Sequence, residues 1–191
     1  MQLIFVRHGE TDCNALKKYC GQMDVALNEN GIRQMKRLQE RLNDYSFNLV
    51  VTSDLMRVNQ SAALLSNKKP IRFPAFNEMN FGDFEGYTYQ EINTKFPVAW
   101  DDYCSNWQTA PFPNGESFPV FYERVVATFK AEWENWQKLD TVLFVGHLGV
   151  LRAIALFIQD KKIAQFWDTD FKQGCYSLWD NKSQSFLISN Q

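Results

Sequence analysis

Only two histidines occur in this 191-residue chain, His8 and His147, and each directly follows a short apolar run. The first stands in Leu3-Ile4-Phe5-Val6-Arg7-His8-Gly9, the second in Val142-Leu143-Phe144-Val145-Gly146-His147. A neutral imidazole attacks phosphorus or acyl carbon, and histidine's ordinary pKa keeps that form available near neutrality. Arg7 precedes the first histidine, and Arg57 follows a further apolar run through Thr52-Ser53-Asp54-Leu55-Met56. Two guanidiniums supply fork-shaped donors as well as charge, and beside a helix amino terminus they suit a dianionic phosphate. Ser53 or Asp54 is expected to cap the helix that carries Arg57.

Expelling an alkoxide requires a proton donor. The segment Asn77-Glu78-Met79-Asn80-Phe81-Gly82-Asp83-Phe84-Glu85-Gly86 offers Glu78, Asp83 and Glu85, and residue type alone does not choose among them. Glu10 and Glu116 are weaker donor candidates; a carboxylate also fixes a guanidinium two-pronged, so both are expected to orient the arginines.

These side chains can meet only if the fold gathers the ends of several runs. Positions 3–6, 49–52, 71–73, 142–145, 176–179 and 186–189 favour strands. Between them, Met35, Leu38, Leu42 and Tyr45 recur at helical spacing, as do Leu55, Val58, Ala62 and Leu65. Phe118, Phe121, Val125, Phe129, Trp133 and Trp136 extend the same spacing through a long helix. The alternation predicts an α/β three-layer sandwich, with a mainly parallel central sheet and helices on both faces. In such a sheet, ligands bind in the crevice beyond the carboxyl ends of the strands. Asp180-Asn181-Lys182-Ser183 is turn-forming and predicts an antiparallel hairpin between the last two strands. No linker divides the chain, so 1–191 reads as a single domain. The aromatic, proline-containing stretch 82–116 reads as an inserted helical cap over the carboxyl edge, with Thr88 to Glu91 spaced as a capping box.

A net charge of −2 argues against a nucleic-acid polymer as partner. The apolar stretch 150–158 is too short to cross a bilayer, and no secretory leader is recognisable, so a cytoplasmic protein without membrane association is expected. Cys13, Cys20, Cys104 and Cys175 lack the spacing of metal ligands and are expected to be free, mostly buried thiols. Neither a metal nor a cofactor is expected.

Arg7-His8-Gly9-Glu10-Thr11 with Asn14 resembles the signature of the histidine phosphatase superfamily, also called the phosphoglycerate mutase-like superfamily. Ser53 to Arg57, Glu78 with Phe81 to Gly86, Asn114-Gly115-Glu116-Ser117 and Gly146-His147-Leu148-Gly149 resemble its later motifs, in order. Within it, Asn77 to Glu85, Asn106-Trp107-Gln108 through Pro113 to Glu116, and Gln173-Gly174-Cys175-Tyr176-Ser177 are similar to the α-ribazole phosphatases of cobalamin synthesis.

The resemblance implies a phosphoric monoester hydrolase in which His8 is transiently phosphorylated. Arg7, Arg57 and His147 would bind the transferring phosphoryl group, Glu78 would be the proton donor, and Asn14, Gly21 and Leu148 would contact phosphate or substrate. It implies metal-independent hydrolysis of a small phosphorylated metabolite, foremost α-ribazole 5′-phosphate. A broad sugar or nucleotide phosphatase and a phosphoglycerate mutase are the alternatives; a non-catalytic phospho-ligand module is disfavoured because nucleophile and donor are both present. Phe84, Tyr87, Trp100, Tyr103 and Trp107 are candidates to stack on a benzimidazole base. The chain departs from the pattern at Cys20, where a hydroxyl residue is usual, at Gln22, where an aromatic is, and at Gly146, where serine is common.

Overall fold

In the computed structural model, which describes residues 1–191, the apolar runs become the strands of one six-stranded sheet. The chain runs through β1 (Gln2–Arg7), α1 (Asp12–Ala15), α2 (Glu29–Arg41), β2 (Leu49–Thr52), α3 (Met56–Leu65) and β3 (Ile71–Arg72). It continues through α4 (Tyr89–Lys95), α5 (Pro97–Asn106), α6 (Phe118–Trp136), β4 (Thr141–Gly146), α7 (Leu148–Ile158), β5 (Tyr176–Asp180) and β6 (Ser185–Ile188). The strand order is β3-β2-β4-β1-β5-β6. Every pairing among the first four is parallel, and β5 alone runs against its neighbours, closing the sheet with the antiparallel hairpin to β6.

Strand periodicity sorts the core into two layers. Leu3, Phe5, Val142 and Phe144 face α6 and α7, packing with Phe121, Val125, Phe129, Leu151 and Ile154. Ile4, Val6, Leu143 and Val145 face the other way, against Met35 and Leu38 of α2 and Val58 and Ala62 of α3. Both faces are covered, which is why these strands read as unbroken apolar runs rather than alternating ones. β3 is different: both of its residues are exposed, as befits a short edge strand.

The stretch 82–116 folds into a short 3-10 turn followed by α4 and α5. Thr88 caps α4 as expected, accepting from the Glu91 N–H while the Glu91 carboxylate accepts from Thr88. The expected cap of α3 is absent. Leu55, rather than Ser53 or Asp54, holds the N-cap position, and the Met56 N–H donates instead to Asp24 Oδ1 at 2.6 Å. The four cysteines are free, but only Cys13 is buried. Cys104 is exposed because α5 buries none of its residues. No helix is long and apolar enough to cross a membrane.

Candidate active site

The register between β1 and β4 pairs Arg7 with Gly146, and the His8 N–H donates to the Gly146 carbonyl at 3.0 Å. The next residue on each strand is a histidine. Two side chains far apart in sequence are thus delivered to one point by a parallel ladder, with ring centroids 5.3 Å apart at an interplanar angle of 64°. Both rings are buried.

His8 Nδ1 lies 2.7 Å from the Gly9 carbonyl. A carbonyl only accepts, so the ring proton sits on Nδ1 and the Nε2 lone pair is left available. His147 Nε2 lies 2.9 Å from Ser53 Oγ, and that hydroxyl already accepts from the Leu55 N–H. Its own proton can therefore go to Nε2, which would leave the His147 ring proton on Nδ1. Burial first, then the positive charges of Arg57 and Arg7, push His8 well below the ordinary histidine value of 6.5. Burial and Arg57 do the same to His147. Both rings are neutral at physiological pH.

Arg57, on the first turn of α3, is 1% exposed. Its Nη1 donates to the Met23 carbonyl at 2.8 Å and its Nη2 to the Gly21 carbonyl at 2.6 Å. One guanidinium therefore braces the loop after α1 while standing close enough to depress both histidines. Three buried side-chain nitrogens in the protein lack any hydrogen-bond partner, and two of them, Arg7 Nε and His147 Nδ1, belong to this site. Leaving such a group unpaired costs about 1–3 kcal/mol.

Glu78 is buried, its Oε1 accepting from its neighbour Met79 N–H and its Oε2 from Gly149 N–H, each at 3.0 Å. The second bond ties it to the first turn of α7, beside His147. Asp83 and Glu85 lie elsewhere: Asp83 accepts from Asn114 at the surface, and Glu85 accepts from the Gln22 and Met23 N–H groups at 2.7 Å. Of the three carboxylates in that segment, only Glu78 reaches the cavity.

Arg7, His8, Asn14, Glu78 and Leu148 line one cavity of about 440 Å³, with Arg57 and His147 buried behind the lining. All of the Asn14 side-chain bonds use Oδ1, including one from Gln173 at 2.8 Å, so its Nδ2 donors are uncommitted. Gly21 does not line the cavity; its carbonyl is turned to Arg57, and a Cβ there would meet the Met79 carbonyl at 2.0 Å. Cys20 does line it and remains a thiol, burial pushing its pKa up to about 12.

Several lining residues escape a reading of the sequence. Lys17, Lys18 and Arg152 join Arg7 against the single carboxylate of Glu78, giving a cavity whose charge favours anions. Arg152 had one available signal, its position a helical turn beyond Leu148. The aromatic wall also differs from expectation. Tyr103 and Trp107 line the cavity together with Phe118, Phe166 and Trp167. Phe84 is fully buried against Phe96 and Phe112, and neither Tyr87 nor Trp100 reaches the cavity. Glu10 and Glu116 do not hold Arg7 or Arg57. Glu10 accepts from Asn28, and Glu116 pairs with Arg124, an arginine the motifs do not mark.

A family model described as histidine phosphatase superfamily (branch 1) matches residues 3–190. The chain belongs to the histidine phosphatase superfamily. This phosphatase is 34% identical to the adenosylcobalamin/α-ribazole phosphatase of Escherichia coli, over 94% of its own length and 90% of that protein. It is 32% identical to the protein of the same description from Salmonella typhimurium, with the same coverage. A solved α-ribazole phosphatase structure from Shigella flexneri superposes with a TM-score of 0.92 at 32% identity, covering 100% of this chain and 96% of that one. The α/β fold with a mainly parallel sheet expected from the strand and helix pattern is therefore shared with that solved structure.

Proposed function

We propose that this phosphatase hydrolyses α-ribazole 5′-phosphate to α-ribazole and inorganic phosphate through a phosphohistidine. The observation that carries the choice of substrate is the continuity of one cavity from Arg7, His8 and Glu78 to an aromatic wall. There Trp107 meets Trp167 at 5.4 Å between ring centroids, and the Arg152 guanidinium lies 5.2 Å over Trp167. Such a wall suits a planar aromatic base, with aromatic contacts worth about 0.5–1.5 kcal/mol each beyond burial. A three-carbon phosphoglycerate has nothing to place against it. The names of the relatives point to the same substrate class.

In the first step the Nε2 lone pair of neutral His8 attacks phosphorus in line with the ester oxygen. The P–O bond breaks and Glu78 gives its proton to the departing alkoxide. In the second step Glu78 takes a proton from water, the water oxygen attacks phosphorus, and the P–N bond returns its electron pair to Nε2. Arg7 Nε, the available Arg57 donors, His147 Nδ1–H and the Asn14 amide would stabilise the equatorial oxygens, the principal work in phosphoryl transfer. Leu148, opening α7, would contribute to the edge of this cradle, and Gly21 would act through the loop that Arg57 holds.

The test is phosphate release from α-ribazole 5′-phosphate, sugar phosphates, nucleoside monophosphates and phosphoserine, beside an assay for interconversion of 3- and 2-phosphoglycerate. The expected result is the highest kcat/KM for the ribazole ester, an acid-labile phosphoenzyme in a rapid quench, and loss of both in His8→Ala. Equal efficiency across the panel would replace the narrow substrate with a broad one. Mutase turnover without net phosphate release would reject hydrolysis.

A further inference from the structure

We infer that Arg124 and Glu116 form a clamp that sets the position of Glu78 for proton transfer, an inference that rests on Glu78 being the proton donor. A guanidinium has five N–H donors, and all five of those on Arg124 are engaged. Nε donates to Glu116 Oε1 at 2.6 Å and Nη2 to Glu116 Oε2 at 2.8 Å, a two-pronged pair. The remaining donors go to the backbone: Nη1 to the carbonyls of Ala75 at 2.7 Å and Asn77 at 2.9 Å, and Nη2 to that of Glu78 itself at 3.1 Å. One α6 side chain thus grips three carbonyls in the short segment that ends at the candidate acid. That segment belongs to no helix or strand long enough to hold it.

Glu116 completes the grip from the other side. Its Oε2 accepts from the Asn80 N–H at 2.8 Å, and its own N–H donates to the Asn80 carbonyl at 2.9 Å. The Glu78 backbone is therefore fixed by Arg124 directly and two residues later by Glu116, which sits at the end of the cap segment. Neither Arg124 nor Glu116 lines the cavity, so neither is a substrate ligand. The side chain between them and the cavity is Phe121, which lines it and carries the Arg124 guanidinium 5.1 Å over its ring. Arg124 is thus a positioning residue. A carboxyl displaced by about an ångström from the productive geometry forfeits much of its catalytic effect.

The experiment compares wild type, Glu78→Gln, Arg124→Lys and Glu116→Gln on two monoesters, p-nitrophenyl phosphate and a nucleoside 5′-monophosphate. Nitrophenolate leaves without a proton; the ribose alkoxide does not. Arg124→Lys keeps the charge but cannot reproduce the five-donor lattice. It is expected to lower kcat/KM for the alkyl ester at least about tenfold more than for the aryl ester, a fraction of the 10²–10⁴ typical of general acid catalysis. The same skew is expected in Glu78→Gln, and Arg124→Lys is expected to leave vanadate binding unchanged. If Arg124→Lys does not fold, Glu116→Gln, which leaves the three carbonyl bonds in place, supplies the readout with the same skew expected. Equal losses on the two esters, or weakened vanadate binding in step with activity, would show a merely structural pair and overturn the clamp. Absence of the skew in Glu78→Gln would remove the acid assignment and the clamp together. A skew in Glu78→Gln alone would remove only the clamp.

Discussion

His8 and His147 stand 5.3 Å apart, ring to ring, yet their hydrogen bonds prepare them for opposite tasks. Gly9 takes the proton side of one ring and frees a lone pair, while Ser53 can occupy the acceptor side of the other and free an N–H. The same residue type, buried in both places, presents a free lone pair or a free N–H according to which neighbour it meets.

Because these are the only two histidines, their titration can be followed without ambiguity. In ligand-free protein the ring proton resonances are expected to stay at their neutral positions as the pH falls through 6.5, and to titrate there only after unfolding. The sign for stability follows. Below 6.5 the unfolded chain binds protons that the folded chain refuses, so the unfolding free energy declines as pH falls and is unaffected above that value. Rings that titrate normally in the folded state would contradict the burial argument.

Arg57→Lys is expected to lose about 10²–10³ in kcat, the usual cost of one preorganised donor in a charge-stabilising site. A lysine keeps the charge, but it cannot hold the Gly21 and Met23 carbonyls and a phosphate oxygen at once. Protease sensitivity should rise in the loop after α1 in parallel. Activity near that of the wild type would disprove the assignment.

Gly149→Ala separates geometry from folding. Alanine is the better helix former by about 1 kcal/mol, but a Cβ at this position would lie 2.4 Å from Glu78 Oε1. Turnover of alkyl phosphates is expected to fall while Tm does not fall with it. Unchanged turnover would mean that the Glu78 carboxylate tolerates displacement and is not the donor.

Trp167→Ala and Trp107→Ala are expected to raise KM for α-ribazole 5′-phosphate several-fold, in line with about 0.5–1.5 kcal/mol per aromatic contact. KM for ribose 5-phosphate, which has no base, should hardly change. Equal effects on both would assign these rings to packing alone.

The strands of the site were legible because a strand buried on both faces must be apolar throughout, as 3–6 and 142–145 are. The meeting of His8 with His147 followed from where those runs end. What held Arg57 was not legible, since its partners are backbone carbonyls, which every residue possesses. Arg124 escaped for the same reason, although its place three residues after Phe121 puts it at the margin of the buried face of α6. Ser53 or Asp54 was read as a helix cap because both residue types commonly serve that way; Leu55 holds the N-cap position, and the Ser53 hydroxyl meets the Leu55 N–H and the imidazole brought in by β4. Phe84 looked like a ligand contact because composition does not tell a wall residue from one sealed behind the wall.

The pairing of Arg7 with Gly146 also dictates when the two histidines meet. β1 is made before β4, so His8 has no partner ring until β4 has been made and inserted between β1 and β2. A chain lacking β4 therefore holds one imidazole of the pair, and phosphatase activity during refolding is expected to report closure of the middle of the sheet.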